Sequence, residues 1–212
     1  MMITSISQGK NNRKRVYVDD AFVFALYCRE LMQYGLKEGQ PVSRELLDKI
    51  IKECVLRRGK LRAMNLLQAR DYTRQGLRVK LMQSEYDETV IAQVISYLDD
   101  YHYLDDVRYA RQYISFKKSK KSRMQIEQEL LKKGVSRDDI YQAFSELSEE
   151  YNFKQEEQKL LEQLIEKKLR SFKPSEEEEA KRVKVYRFLA GKGFSSTVIR
   201  EAMEQYHFHE DF

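Results

Sequence analysis

At 212 residues, 42% apolar and 34% charged, the chain has room for one or two ordinary domains or a short repeat array. Two prolines and eight glycines argue against an all-β or loop-rich fold, and no apolar run reaches membrane-spanning length. The net charge of +5 is too uneven for a uniformly basic nucleic-acid coat: residues 104–135 hold nine Lys and Arg against four acids, and residues 136–180 hold seven against thirteen.

Residues 1–12 are polar and expected to fray. Residues 13–18 and 21–27 predict two short strands around a turn at Asp19-Asp20, with Val16, Val18, Phe22, Phe24 and Leu26 supplying the alternation. Such a hairpin is marginal alone and should pack on the helix that follows. Residues 29–34 read as a short helix ended by Gly35, and Gly39-Gln40-Pro41 as a turn. Ser43 then caps a helix whose Leu46, Leu47, Ile50, Ile51, Cys54 and Val55 form one apolar stripe, with Gly59 expected to close it.

From residue 61 onward the pattern is helical and repeats. Leu81, Leu130 and Leu189 align at offsets of 49 and 59 residues. The same offsets superpose Leu77, Ile126 and Val185, then Ile91, Ile140 and Ile199, then Val94, Ala143 and Ala202. Asp87, Ser136 and Ser195 fall in one column, each a good N-cap residue. The simplest account is a mainly α chain: an elongated curved array of three tandem three-helix repeats behind a small N-terminal β-hairpin plus helix extension. The boundaries read as 1–60 for the extension and 61–104, 105–151 and 152–212 for the repeats.

The central repeat is the most complete. Asp105 or Asp106 can cap its first helix, which carries Val107, Ala110, Tyr113 and Ile114 on one face. Its second helix buries Met124 or Ile126 with Leu130 and Leu131 and stops at Gly134. Ser136 opens the third, with Ile140, Ala143, Phe144 and Leu147 as its apolar face. In the last repeat Leu160, Leu161, Leu164, Ile165 and Leu169 form a stripe stopped by Pro174. The acids at 176–179 suit the positive end of the next helix, or a basic partner.

No pattern carries catalysis. There is no phosphate-binding glycine loop, and Cys28 and Cys54 match no metal-ligand spacing and fit buried reduced thiols in a cytoplasmic protein. His102 reads as packing, and His207 and His209 with Glu210 and Asp211 as a solvated tail or a stray metal site. Helix capping explains Asp105-Asp106 better than acid–base work. We expect no enzymatic activity, no cofactor and no metal. The suggestive feature is Lys117, Lys118, Lys120, Lys121 and Arg123, preceded by Arg108 and Arg111 and interleaved with Tyr109, Tyr113 and Phe116. It suits a phosphate-contacting surface with aromatic neighbours, or a merely solvated loop.

With the repeats in view, the sequence resembles the bacterial RecX regulatory family from about residue 64 to 206. The motifs that carry the likeness are Tyr103-Leu104-Asp105-Asp106-Val107-Arg108-Tyr109-Ala110 with Tyr113-Ile114, then Ile126-Glu127-Gln128-Glu129-Leu130 with Lys132-Lys133-Gly134-Val135, and residues 73–78 with Lys80 and Leu81. Gly76 stands where the family usually has Glu, and residues 119–122 replace a stretch that often contains Gly; both departures are expected on the surface. No self-complementary coiled-coil pattern is present, so a monomer is expected; the resemblance implies that it lies along the groove of the RecA filament on single-stranded DNA. There it would bridge RecA subunits and damp ATP hydrolysis, strand exchange and co-protease activity. Charge and position then place the RecA or DNA surface on Arg108, Arg111, Lys117, Lys118, Lys120, Lys121, Arg123, Lys132 and Lys133. The alternatives are a RecA-independent helical DNA-binding protein, such as a small transcription regulator, and a plain helical scaffold.

Overall fold

Two pairs of residues in the left-handed region, Asn11-Asn12 and Asp19-Asp20, fold the N-terminus into three antiparallel strands. Short polar side chains tolerate this backbone, which matches the twist of a tight hairpin. The strands are β1 (Ile3–Gln8), β2 (Arg13–Val18) and β3 (Ala21–Tyr27), in the order β1-β2-β3. The expected hairpin is therefore present, but the N-terminus is not frayed: it adds a strand. Pairing shifts register between Ile3 and Ser5, so β1 lacks the period-two alternation that would mark it in the sequence. Its outer edge is covered, since Ile3 N–H donates to the Gln40 carbonyl at 2.9 Å and Gly39 N–H to the Ile3 carbonyl at 2.8 Å. The computed structural model describes residues 1–150, 153–173 and 175–205.

Helix α1 (Cys28–Gln33) ends before Gly35, and α2 (Arg44–Ile50) begins where Ser43 Oγ accepts from Leu46 N–H at 3.2 Å. α2 runs on through a π turn (Ile51–Val55) into α3 (Leu56–Ala69) without a break. Next come α4 (Arg74–Gln83) and α5 (Glu88–Asp100). Gly59 was expected to stop a helix and instead lies inside α3. A Cβ there would come within 3.0 Å of Val94 Cγ2 and 3.4 Å of Tyr86, so glycine is present for the close approach of α3 to α5. Val16, Phe24 and Leu26 from the sheet, Ile50 from α2, and Leu81 and Ile91 share one core. The chain divides after Asp105, and this core belongs to the first unit.

The second unit holds α6 (Asp106–Lys117), α7 (Arg123–Lys132), α8 (Arg137–Glu150), α9 (Phe153–Leu169), α10 (Glu178–Gly191) and α11 (Ser196–Gln205). α6 to α8 enclose one core and α9 to α11 another. Every residue in the four aligned apolar columns is buried, and Ile126 rather than exposed Met124 faces the core. Asp87, Ser136 and Ser195 each accept a helix N–H, from Thr89 at 2.8 Å, Asp139 at 3.0 Å and Val198 at 3.3 Å.

The corners before those caps are the same bonded motif three times. Tyr86, Val135 and Phe194 N–H donate to the carbonyls of Leu81, Leu130 and Leu189, while Glu85, Gly134 and Gly193 donate to Met82, Leu131 and Ala190. Glu85, Gly134 and Gly193 all have positive φ, at 60°, 82° and 77°.

Of the two surface expectations, Gly76 is half-buried and donates its N–H to Thr73 Oγ1 at 2.9 Å. Ser122 is a correction: it is only 1% exposed. Its Oγ accepts from Gln125 N–H at 3.3 Å and donates to the Lys192 carbonyl at 2.7 Å, which links the second repeat to the third. Glu178 and Glu179 occupy the first turn of α10, while Pro174, His207, His209, Glu210 and Asp211 lie outside the described residues.

Candidate functional site

The basic run lies where the first helix of the second repeat gives way to the second. α6 carries Arg108, Arg111 and Lys117, the connection carries Lys118, Lys120 and Lys121, and α7 opens on Arg123 and ends on Lys132. Lys133 is the C-cap of α7, where a cation suits the negative end of the helix.

These nine side chains do not form one uniform patch. Arg111 lies 3.1 Å from Glu146 on α8, Arg123 lies 3.0 Å from Glu127, and Lys121 pairs with Glu129. Glu129 also accepts from the Tyr113 hydroxyl at 2.6 Å. Hydrogen bonds from Lys121 and Tyr113 hold the Glu129 carboxyl below its ordinary range, and burial together with that bond pushes the Tyr113 phenol up. Arg111, Lys121 and Arg123 thus each have a carboxylate partner within the unit.

Lys117, Lys120 and Lys133 lie near aromatic rings. Lys117 and Lys120 each place Nζ 5.1 Å from the Phe116 centroid, and Lys133 places its own 5.4 Å from that of Tyr113. Tyr113 in turn stacks on Tyr109, with centroids 6.4 Å apart. Phe116 is 65% exposed, a position that core packing does not explain. An exposed ring with two ammonium groups beside it can accept a nucleobase or an apolar side chain flanked by negative charge. Arg108 and Lys132 are exposed, and Lys118 is half-buried.

The sequence shows the cations and interleaved aromatics but hides most of their partners. Arg123 and Glu127 are legible as an i,i+4 pair. Glu146 sits on another helix, and Glu129 is eight residues from Lys121, so neither announces itself. Among the described residues no group of three or more His, Cys, Asp or Glu is placed to hold a metal ion. No described helix is long and apolar enough to cross a membrane.

A sheet-and-helix N-terminus followed by three-helix repeats, with a polar surface site, defines a helical-repeat protein. Comparison with known proteins is more specific. Residues 1–43 match the regulatory protein RecX N-terminal domain, and residues 60–98, 105–143 and 155–203 match the first, second and third RecX three-helix domains. The chain is 30% identical over 209 residues to the regulatory protein RecX of Clostridium acetobutylicum, covering 96% of this chain and 95% of that protein. It is 32% identical over 195 residues to the RecX of Clostridium perfringens, covering 91% and 90%. It is also similar to a crystal structure of regulatory protein RecX, with a TM-score of 0.66 at 23% identity over 96% of this chain and 98% of that one. A crystal structure of RecX from Lactobacillus salivarius gives 0.62 at 23% identity, over 71% and 95%. The chain belongs to the RecX regulatory protein family.

Proposed function

We propose that this chain binds the RecA filament on single-stranded DNA and mainly inhibits its ATP hydrolysis, strand exchange and co-protease activities. Membership of a regulatory family along nearly the whole chain is the observation that supports this reading. It acts as a cytoplasmic monomer without catalysis or cofactor, because a binder that favours one filament state shifts the equilibrium by its differential affinity alone. The nine basic residues of α6 and α7 are the proposed surface, centred on Phe116, Lys117 and Lys120. These groups are set to meet DNA phosphate or an acidic face of RecA.

The test is RecA ATP hydrolysis on single-stranded DNA with this protein titrated from substoichiometric amounts. A fall in rate well below one molecule per RecA is expected, and no fall at any ratio with the cognate RecA overturns the reading. The double variant Lys117→Glu, Lys120→Glu should raise the half-inhibitory concentration by about tenfold or more. Unchanged inhibition by a folded double variant would move the surface elsewhere.

A further inference from the structure

In the first unit a cleft of about 420 Å³ opens between the β1–β2 turn, the end of β3, α3 and the corner after α4. Its walls include Arg13, Tyr27, Arg58, Arg62, Asn65 and Tyr86, and among the described residues none of the side chains lining it is acidic. Three guanidiniums converging on one hollow repel each other, so something must hold them there.

Arg13 is only 4% exposed; it donates to the Ser84 carbonyl at 2.8 Å and lies 5.8 Å from the Tyr86 centroid. Arg58 donates to the Ala25 carbonyl at 3.0 Å, and its guanidinium lies 5.0 Å from the Tyr27 centroid. Behind it, Glu30 pairs with Arg58 and accepts from Tyr27 N–H at 2.8 Å and from Cys54 Sγ at 2.9 Å. Burial pushes the Cys54 thiol up to about 11, so it stays a donor. Burial also pushes the Tyr86 phenol up, against the pull of the arginine charges around it. The π turn that supplies Cys54 also sets the phase of α3, and with it the direction of Arg58 and Arg62; such turns are rare and concentrate at functional sites.

Arg13 lies 3.6 Å from the Glu85 carboxylate, and neither Glu85 nor Glu30 lines the cleft. Arg62 and Asn65, three residues apart on α3, stand exposed at the rim, and Tyr27 keeps 42% of its surface open. Forked donors suit a phosphate, an amide side chain suits a base edge, and a guanidinium stacked on a tyrosine offers a flat face. We infer that this cleft binds a phosphorylated nucleoside, its phosphate held by the exposed Arg62 at the rim and its base laid against the Arg58–Tyr27 pair. A plain acidic peptide would use the charges and leave the flat face and the amide idle, which is why a nucleotide is favoured.

The ligand is either one residue of a single strand or a free mononucleotide, and titration of the full chain separates them. Binding of a labelled oligothymidylate is followed by anisotropy, and binding of adenosine monophosphate by calorimetry. Each is measured for the natural chain and for Arg62→Glu, an exposed change whose folding is checked by an unaltered Tm. If the strand is the ligand, Arg62→Glu weakens it by about tenfold and lowers the salt slope by about one. If the free nucleotide is the ligand, one equivalent binds the natural chain and is lost in the variant. Arg58→Lys, which keeps the charge and removes the flat face beside Tyr27, should also weaken whichever binds. Equal binding by the natural chain and Arg62→Glu, or no binding of either ligand, overturns the inference. Displacement of the bound ligand by polyglutamate at equal charge overturns it as well. No RecA is present in these measurements, so their failure and the failure of the filament reading are separate results.

Discussion

Glu85 occupies the backbone position that glycine holds at Gly134 and Gly193, with a φ of 60° that a side chain adopts only with strain. Its carboxylate accepts from Lys10 N–H at 2.8 Å and Arg15 Nε at 2.7 Å, and lies 3.6 Å from Arg13. Glu85 thereby fastens the end of α4 to the sheet. Removing one partner of a buried charged pair costs more than the strain itself. Glu85→Ala should therefore destabilise the first unit by about 3 kcal/mol. Glu85→Gly should cost about 1 kcal/mol less than the alanine, since it relieves the strain but not the lost charge. Hydrogen exchange of β2 and α4 amides reads both values, and equal protection in the two variants would show that φ contributes nothing. Burial alone would raise the Glu85 carboxyl, but the Lys10 amide and the two guanidiniums outweigh it and hold the group below its ordinary range. A depressed carboxyl stabilises fully above its unfolded value of about 4.3 and loses that contribution as pH falls through the lower folded value. The stability gap between the natural chain and Glu85→Gln should accordingly narrow below about pH 4 in urea unfolding. The odd residue is legible, because alignment of the three corners puts a glutamate opposite two glycines. Its arginine partners, some seventy residues earlier, are not.

At the scale of elements, the helices from α4 onward follow from periodicity and caps, whereas β1 and α3 required the third dimension. β1 is hidden by its register shift, and Gly59 looks like a stop because its reason, Val94 on another helix, is 35 residues away. Gly59→Ala gains helix propensity but forces a methyl group against Val94 and Tyr86, so it should destabilise by about 1 kcal/mol. Gly191→Ala meets nothing within 4 Å and should be neutral or gain about 0.5 kcal/mol. Chemical denaturation of the pair distinguishes close approach from simple propensity: if both alanines stabilise, Gly59 is only a poor helix former. In the candidate site the same limit applies. The cations of α6 and α7 are plain in the sequence, but which of them are matched by Glu129 and Glu146 depends on how the helices pack.

Across the molecule, the repeats were legible because burial must recur at the same positions of each corner. The join between the second and third repeats was not, since its bonds run to distant positions: Ser122 Oγ donates to the Lys192 carbonyl at 2.7 Å, and Arg123 N–H donates to a Glu157 carboxylate oxygen at 3.0 Å. Ser122 both caps α7 and donates to the Lys192 carbonyl, and a Cβ on the neighbouring Gly193 would lie 3.0 Å from Ser122 Oγ. Ser122→Ala should cost about 1–2 kcal/mol and, more tellingly, raise hydrogen exchange at the end of α10 as well as at the start of α7. Faster exchange confined to α7 would mean the cap matters and the link does not.

The three matching corners also constrain how such a chain can lengthen. Each leaves its second and third helices fixed by the same two backbone bonds, and a residue added there would break both. The third corner nevertheless follows the second by 59 residues, where the second follows the first by 49. The added length falls ahead of the corner: α9 spans 17 residues against 12 in α6, and the stretch before α10 is longer than the one before α7. Extra length is thus taken up in the first helix, the joint after it and the second helix, where α10 spans 14 residues against 10 in α7, while the corner keeps its bonds. A chain built this way can vary its reach and its surface chemistry together while every corner stays the same.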